Sequence, residues 1–311
     1  MRVRRASLLM FAAIIAISTS AWLEAILLSP HANTNGQTVA AGFATAPDQT
    51  LTADGVTLRY REVGDGEPVL LIHGYSASLE TQIPLANALA PSHRVVAFDV
   101  RGFGKSSKFS EPSRFGQLLV DDAVHLLDHL KISRVHVLGH SMGAVIAANL
   151  AARYPARVAS ATLLAGPFYP DKAAFSKATA QWVADLESGS GLTNFVRWLF
   201  PAMDPKMSAG LSAQVLKAND LPSLIAVMRS LPDLAIAGLG QTGMPVLVAV
   251  GTGDPLHPLS KQFAQSSPGS RLLEIVDADH VTVAASAEFV RALRDLLERA
   301  QTRSGRAREA A

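Results

Sequence analysis

A serine between two glycines, in the sequence GHSMG at 139–143, has the clearest capacity for chemistry. A strand-like run, RVHVL, precedes it, and a helix-like run, AVIAANLAARY, follows it. Strand, sharp turn and helix are the context of a G-x-S-x-G nucleophile elbow, in which the glycines leave room for a strained serine. The turn would place Ser141 at a helix N-terminus, where the N–H of Met142 favours a developing negative charge. We therefore predict that Ser141 is a nucleophile and that Met142 supplies one oxyanion donor.

A serine hydroxyl is a weak nucleophile at neutral pH, so Ser141 requires a histidine base and a carboxylate that orients it. Candidates for both follow late strand-like runs: Asp254 ends MPVLVAVGTGD, and His280 ends RLLEIVDADH. The chain order serine, acid, histidine suits this assignment. Asp277 and Asp279 are the competing carboxylates, because both lie beside His280. We predict a triad of Ser141, Asp254 and His280.

Four other histidines are interpreted as structural or solvated: His31, His125, His129 and His136. His257 is close to Asp254 but precedes the strand that should deliver the base.

The loop after the apolar run PVLLI is expected to supply a second oxyanion donor. In LIHGYSAS, at 71–78, the backbone N–H of Tyr75 is the candidate. Only that amide is needed, so the ring of Tyr75 is free to shape a pocket. His73 is interpreted as a brace of this loop, held by hydrogen bonds, rather than as a proton-transfer group.

Alternating strand and helix patterns must position these residues. The segments QTLTA and VTLRYREV, joined by Asp54-Gly55, predict an antiparallel start. Apolar runs that suit strands buried on both faces then alternate with helical patterns at 80–89, 114–130, 142–154 and 285–299. This alternation predicts an α/β architecture with a mostly parallel sheet.

One insertion, at 166–243, carries helical patterns and no strand pattern. Because it begins at the carboxyl end of a strand, we expect it to form a helical lid over Ser141. Its large apolar side chains are expected to divide between helix cores and the wall of a substrate pocket. They are Trp182, Phe195, Trp198, Phe200, Met203 and Met207.

Five motifs in one order give the chain a family resemblance. They are HGY at 73–75, FDVRGFGKS at 98–106, GHSMG at 139–143, GTGD at 251–254 and DADH at 277–280. Over 50–299 the chain resembles the α/β-hydrolase superfamily. The resemblance implies an α/β-hydrolase fold: a mostly parallel eight-stranded sheet, helices on both faces, a helical cap, and catalysis without a cofactor or metal. It also implies that the segment from Asp99 to Ser106 is a structural turn. GFGKS imitates a phosphate-binding loop, but Asp99 occupies the position of the first required glycine.

The two ends of the chain differ from its middle. Three arginines precede an apolar run at 8–28, which predicts a signal peptide or an N-terminal membrane anchor over 1–28. Either kind of segment places the catalytic domain outside the cytoplasm, because the positively charged residues before the apolar run stay on the cytoplasmic side. Residues 29–49 are predicted to be a linker and 300–311 a polar tail.

The composition of the chain excludes some functions. The near balance of 28 basic and 26 acidic residues argues against nucleic-acid binding, and the absence of cysteine argues against thiolate chemistry.

These features favour a serine hydrolase that cleaves a carboxylic ester or lactone through an acyl-enzyme. A C–C bond hydrolase or a cofactor-free haloperoxidase or perhydrolase would use the same triad. The serine at the elbow argues against dehalogenases and epoxide hydrolases, which place aspartate there. Two non-enzymatic alternatives are a small-molecule-binding protein of this fold and a membrane-tethered scaffold. The expected partner is a small-molecule ester or lactone, with possible membrane association through residues 8–28; the sequence does not give the oligomeric state.

Overall fold

Eight strands form one sheet in the computed structural model, which describes residues 42–230, 239 and 242–309. In sequence order the strands are β1 (Gln49–Ala53), β2 (Val56–Val63), β3 (Glu67–Ile72), β4 (His93–Phe98), β5 (Val135–His140), β6 (Val158–Leu164), β7 (Val246–Gly251) and β8 (Ser270–Ile275). In space their order is β1-β2-β4-β3-β5-β6-β7-β8.

Nine α-helices lie in the described part of the chain: α1 (Ile83–Leu89), α2 (Leu118–His129), α3 (Met142–Arg153), α4 (Lys172–Glu187), α5 (Thr193–Leu199), α6 (Pro205–Ala218), α7 (Leu221–Met228), α8 (His257–Ser266) and α9 (Ala287–Glu309). Short 3-10 turns occur at Leu79–Gln82, Pro112–Arg114, Pro155–Arg157 and Thr282–Ala285.

The sheet is antiparallel at one edge and parallel elsewhere. β1 pairs antiparallel with β2, and β2 with β4, whereas every later neighbouring pair is parallel. The turn between β1 and β2 is Asp54-Gly55, with φ of 50° and 73°, the positive values that a tight hairpin turn requires. The predicted antiparallel start and mostly parallel sheet are therefore confirmed.

Helices cover both faces of the sheet. Along β3, Leu70 and Ile72 pack into one core, while Val69 and Leu71 pack into the other, because successive side chains in a strand point to opposite faces. Helices α2, α3 and α8 contribute to the first core, and α1 and α9 to the second. The eight-stranded α/β fold implied by the resemblance is confirmed.

Two boundaries and one helix differ from the sequence-based prediction. The linker was placed over 29–49, but Phe43 is fully buried, its N–H donates to Asn87 Oδ1 at 2.8 Å, and Gln49 begins β1. The polar tail was placed from 300, but α9 continues to Glu309 and buries Ala300. Helix α8 was not predicted, because its ten residues, HPLSKQFAQS, are mostly polar and begin next to a proline.

The predicted export or anchor segment, 1–28, lies outside the described residues, as does most of the linker. Within the described residues, none of the helices combines the length and apolar character that crossing a bilayer requires.

Candidate active site

Ser141 occupies a strained turn between β5 and α3. Its φ is 56° and its ψ is −122°, a conformation that non-glycine residues rarely adopt, and its N–H donates to Leu164 O at 2.8 Å. A Cβ at Gly139 would lie 1.9 Å from Gly143 O, and one at Gly143 would lie 2.2 Å from Ile72 O. Both positions therefore exclude any larger residue, and the backbone has the geometry of a nucleophile elbow.

Asp254 and His280 meet at the same edge of the sheet, after β7 and β8. His280 Nδ1 lies 2.8 Å from Asp254 Oδ2, and Asp254 Oδ1 accepts the N–H of Leu256 at 2.8 Å. The carboxylate is buried and His280 is 5% exposed. Because an ionised carboxylate only accepts hydrogen bonds, the proton on the ring belongs on Nδ1, which leaves Nε2 free to take another.

Ser141 and His280 line one cavity, although no hydrogen bond joins the Ser141 hydroxyl to the His280 ring within the described residues. Such bonds are often long before substrate binds. The loop after β3 lies alongside the serine, since a Cβ at Gly74 would be 3.0 Å from Ser141 Cβ and 3.5 Å from its Oγ. The elements that carry Ser141, His280 and Tyr75 thus converge on one point.

Asp279 and His257, two of the competing groups, are engaged elsewhere. Asp279 Oδ1 accepts the N–H groups of Val281 at 3.0 Å and Thr282 at 2.8 Å, and so caps the turn after His280. His257 is hydrogen-bonded to Glu274, with 2.6 Å between Nε2 and Oε1. In the described structure Asp254 is the carboxylate that contacts the ring of His280.

Two residues that line the cavity, Tyr75 and Met142, have backbone N–H groups without a protein acceptor among the described residues. The Met142 amide is the first of helix α3, where the helix dipole favours negative charge. These two amides are the ones that the sequence predicts as oxyanion donors, and the role stays a prediction.

His73 braces the loop that carries Tyr75. Its Nε2 accepts the N–H of Val100 at 3.0 Å, so its Nδ1–H donates to Gly74 O at 2.8 Å. Complete burial lowers the pKa of His73, which keeps the ring neutral. The hydroxyl of Tyr75 donates to Leu224 O on α7, at 3.1 Å, and so ties the same loop to the cap.

The Asp99–Ser106 segment is a structural turn. The carboxylate of Asp99 accepts the N–H groups of Leu79 at 2.8 Å and Lys105 at 2.7 Å, and it pairs with buried Arg59 at 3.0 Å. A Cβ at Gly104 would lie 2.2 Å from that carboxylate. The resemblance to a phosphate-binding loop fails here, because a buried carboxylate occupies the centre of the turn.

His140 is a site residue that sequence reasoning missed. Its Nε2–H donates to the carbonyl oxygen of His280 at 2.9 Å, and the two ring centroids lie 4.8 Å apart. Burial, with the neighbouring His280, lowers the pKa of His140 to about 4, so the ring is neutral at physiological pH. No sequence signal could reveal this contact, because 140 residues separate the two histidines.

Helices α4 to α7 form the cap within the described part of the insertion. Cap residues line a cavity above Ser141. The cavity is lined by Tyr75, Ser141, Met142, Pro167, Tyr169, Phe175, Thr179, Trp182, Phe195, Trp198, Leu199, Val227, Met228, Leu256 and His280.

The six large apolar side chains that the sequence offers for the pocket divide into two groups. Trp182, Phe195 and Trp198 line the cavity and pack against one another, with ring centroids 4.8 to 6.2 Å apart. The other three candidates, Phe200, Met203 and Met207, are not among the lining residues, and Met207 is 41% exposed. They lie at or beyond the end of α5, so they do not share the face that points to Ser141.

Comparison with known proteins agrees with this geometry. The family model for the alpha/beta hydrolase fold matches residues 67–284. The dihydrolipoyllysine-residue acetyltransferase component of the acetoin cleaving system of Pseudomonas putida is 31% identical over 256 residues, 78% of this chain and 66% of that protein. The poly(3-hydroxyalkanoate) depolymerase of Ectopseudomonas oleovorans is 29% identical over 236 residues, 72% of this chain and 81% of that protein.

A solved structure shows the same fold. The enol-lactonase from Burkholderia xenovorans matches with a TM-score of 0.65 and 22% identity, covering 80% of this chain and 100% of that one. The chain spans about two thirds of the acetyltransferase component and most or all of the other two proteins. The chain belongs to the α/β-hydrolase fold family, and it is a hydrolase.

Proposed function

We propose that the protein hydrolyses a carboxylic ester or lactone through an acyl-enzyme on Ser141. The observation that carries this proposal is the buried Asp254–His280 pair, 2.8 Å apart, whose histidine lines the same cavity as a serine held at a strained elbow. Ser141 Oγ attacks the carbonyl carbon while His280 Nε2 takes its proton. The free N–H groups of Tyr75 and Met142 stabilise the tetrahedral oxyanion.

The same residues complete the cycle. The protonated His280 gives its proton to the leaving alkoxide as the C–O bond breaks, which leaves the acyl group on Ser141. Water then attacks the acyl-enzyme, with His280 again as the base, and releases the acid. Asp254 keeps the proton on Nδ1 and stabilises the imidazolium in both halves of the reaction.

Other reactions of this fold use the same triad, so the substrate must distinguish the proposed reaction from them. A C–C bond hydrolase would need the protonated His280 to give its proton to a carbon leaving group, and a perhydrolase would need peroxide to replace water. Ester or lactone cleavage is favoured because the similar proteins include one named as a depolymerase and one named as an enol-lactonase. A binding protein without turnover has no need of a buried histidine-carboxylate pair.

Rapid mixing with p-nitrophenyl hexanoate tests the proposal. An acyl-enzyme mechanism predicts a burst of p-nitrophenol close to one equivalent of enzyme whenever deacylation is slower than acylation. A parallel reaction with a vinylogous 1,5-diketone tests C–C bond cleavage. No turnover of any ester or lactone in a panel, with rapid cleavage of the diketone, would overturn the ester assignment.

We also propose that residues 1–28 direct the catalytic domain out of the cytoplasm, as a cleaved signal or as an anchor. Burial of Phe43 restricts any cleavage site, because removing this side chain would open the core against α1. A mature protein is therefore expected to begin between about Ala21 and Gly42. Intact-mass measurement of the exported protein checks this, and a soluble cytoplasmic species that begins at Met1 would overturn both forms of the proposal.

A further inference from the structure

Among the residues that the structure describes, none that lines the active-site cavity carries a formally charged Asp, Glu, Lys or Arg side chain. Apart from Ser141 and His280, which perform the chemistry, its lining residues are apolar, aromatic or carry a neutral hydroxyl group. Thr179 donates its hydroxyl to Phe175 O at 3.0 Å, and Tyr75 donates its hydroxyl to Leu224 O at 3.1 Å. The remaining polar groups among the other lining side chains are the hydroxyl of Tyr169 and the indole N–H groups of Trp182 and Trp198.

Cations of the cap point away from the cavity. Lys177 and Arg197 are exposed, although each lies within two residues of a lining residue on the same helix. Arg229, next to lining residue Met228, is also exposed and pairs with Glu187 on the surface. On these helices the aromatic and aliphatic side chains therefore lie on the cavity side, and the basic side chains lie on the solvent side.

We infer that this enzyme selects an uncharged substrate with an apolar acyl group and discriminates against one whose acyl chain carries a carboxylate. The inference rests on the proposed ester or lactone hydrolysis and names its substrate class. A carboxylate held in this cavity would lose its hydration and gain no cation, an arrangement that proteins avoid. An apolar chain of the same length would instead bury its surface against Trp182, Phe195 and Trp198.

Three esters of matched length separate charge from size. They are p-nitrophenyl hexanoate, the mono-p-nitrophenyl ester of adipic acid, and the same adipate ester with its free acid methylated. At pH 7.5, kcat/KM for the hexanoate should exceed that for the acid by at least about 100-fold. The methylated adipate should recover most of this loss, because it has the bulk without the charge.

The result identifies which proposal fails. Hydrolysis of the acid and the hexanoate at similar rates would overturn the selectivity and leave ester hydrolysis standing. A methylated adipate as poor as the acid would also overturn it, because size would then be the cause. If no ester of the three is hydrolysed, while the diketone of the earlier experiment is, the proposed function itself is wrong.

A cation placed in the wall tests the location of the selectivity. Met228 is 5% exposed and lines the cavity, and its unbranched side chain has nearly the shape of lysine. Met228→Lys should reduce the preference for hexanoate over the free acid by at least about tenfold. Met207→Lys is the matched control, since Met207 is 41% exposed on the same cap and outside the cavity wall.

The preference is a ratio of two substrates, so a partial loss of folded Met228→Lys protein does not alter it. An unchanged ratio in active Met228→Lys would overturn the assignment of this cavity as the acyl site, as would an equal change in Met207→Lys. If Met228→Lys does not fold, the three esters on the unaltered protein still decide the selectivity.

Discussion

Replacing Asp254 by asparagine should disable the enzyme without removing a side chain. The carboxylate has two fixed contacts, Oδ1 with the N–H of Leu256 and Oδ2 with His280 Nδ1, both at 2.8 Å. An asparagine that keeps its oxygen on Leu256 presents its NH2 group to Nδ1. The ring proton must then move to Nε2, so His280 can no longer accept the proton of Ser141.

The opposite orientation of the amide is also unfavourable. It would return an acceptor to His280 Nδ1–H, but it would place the NH2 group against the buried N–H of Leu256, leaving that donor unpaired at a cost of about 1–3 kcal/mol. Loss of the negative charge beside the imidazolium adds to this energetic cost. Together they account for the roughly 10⁴-fold fall in kcat expected for such a change, which corresponds to about 5.4 kcal/mol.

The assay is steady-state hydrolysis of p-nitrophenyl hexanoate at pH 7.5, with thermal unfolding as the check on folding. Asp279→Asn is the matched control, because Asp279 caps the turn at Val281 and Thr282 and does not contact the ring of His280. Because asparagine keeps the Oδ1 acceptor of this cap, Asp279→Asn should change stability little and kcat less than about threefold. Near-normal kcat in Asp254→Asn, with a large loss in Asp279→Asn, would refute the assignment of the carboxylate.

Three further predictions follow from the site. Ser141→Ala and His280→Ala should each lower kcat about 10⁶-fold with little change in unfolding temperature, and a near-normal kcat in either variant contradicts its role. Trp198→Ala should shift the acyl-chain preference in kcat/KM across p-nitrophenyl esters, whereas Met203→Ala, outside the cavity wall, should not; identical profiles would refute the pocket. Because the pKa of His140 is lowered to about 4, the unfolded chain binds the extra proton as pH falls from about 6.5, so this group destabilises the fold progressively down to pH 4. Urea unfolding at pH 7.5 and pH 5 measures how far the free energy of unfolding falls with pH. In His140→Gln this fall should be about 1–2 kcal/mol smaller than in the unaltered protein, and equal falls would contradict the buried neutral ring.

The residues at the ends of strands could be placed from sequence. Ser141, Asp254 and His280 each follow an apolar run that reads as a buried strand, and the carboxyl ends of parallel strands meet at one edge of the sheet. The free amide of Tyr75 could be anticipated for the same reason, since it follows β3. Local pattern was sufficient here because the sheet fixes the relative positions.

Contacts between distant loops could not be obtained in this way. Nothing in GHSMG shows that the ring of His140 packs on His280 or donates to its carbonyl oxygen. The cap gave a similar difficulty: Trp198 and Met203 both looked like pocket residues, but α5 ends at Leu199, so the methionine does not continue the inward face of the helix. Where a short helix ends decides which side chains point inward, and helix ends are the least certain part of a sequence-based prediction.

The central claim, that Ser141 is the nucleophile, is tested most directly by reaction with a fluorophosphonate followed by tryptic mass mapping. Trypsin should release the segment from Val135 to Arg153, VHVLGHSMGAVIAANLAAR, in which Ser141 is the single serine and no threonine or tyrosine occurs. The account predicts one adduct per chain, on this peptide, that forms as ester hydrolysis is lost and is absent in Ser141→Ala. An adduct on another peptide, or full loss of ester hydrolysis with the 135–153 peptide unmodified, would contradict it.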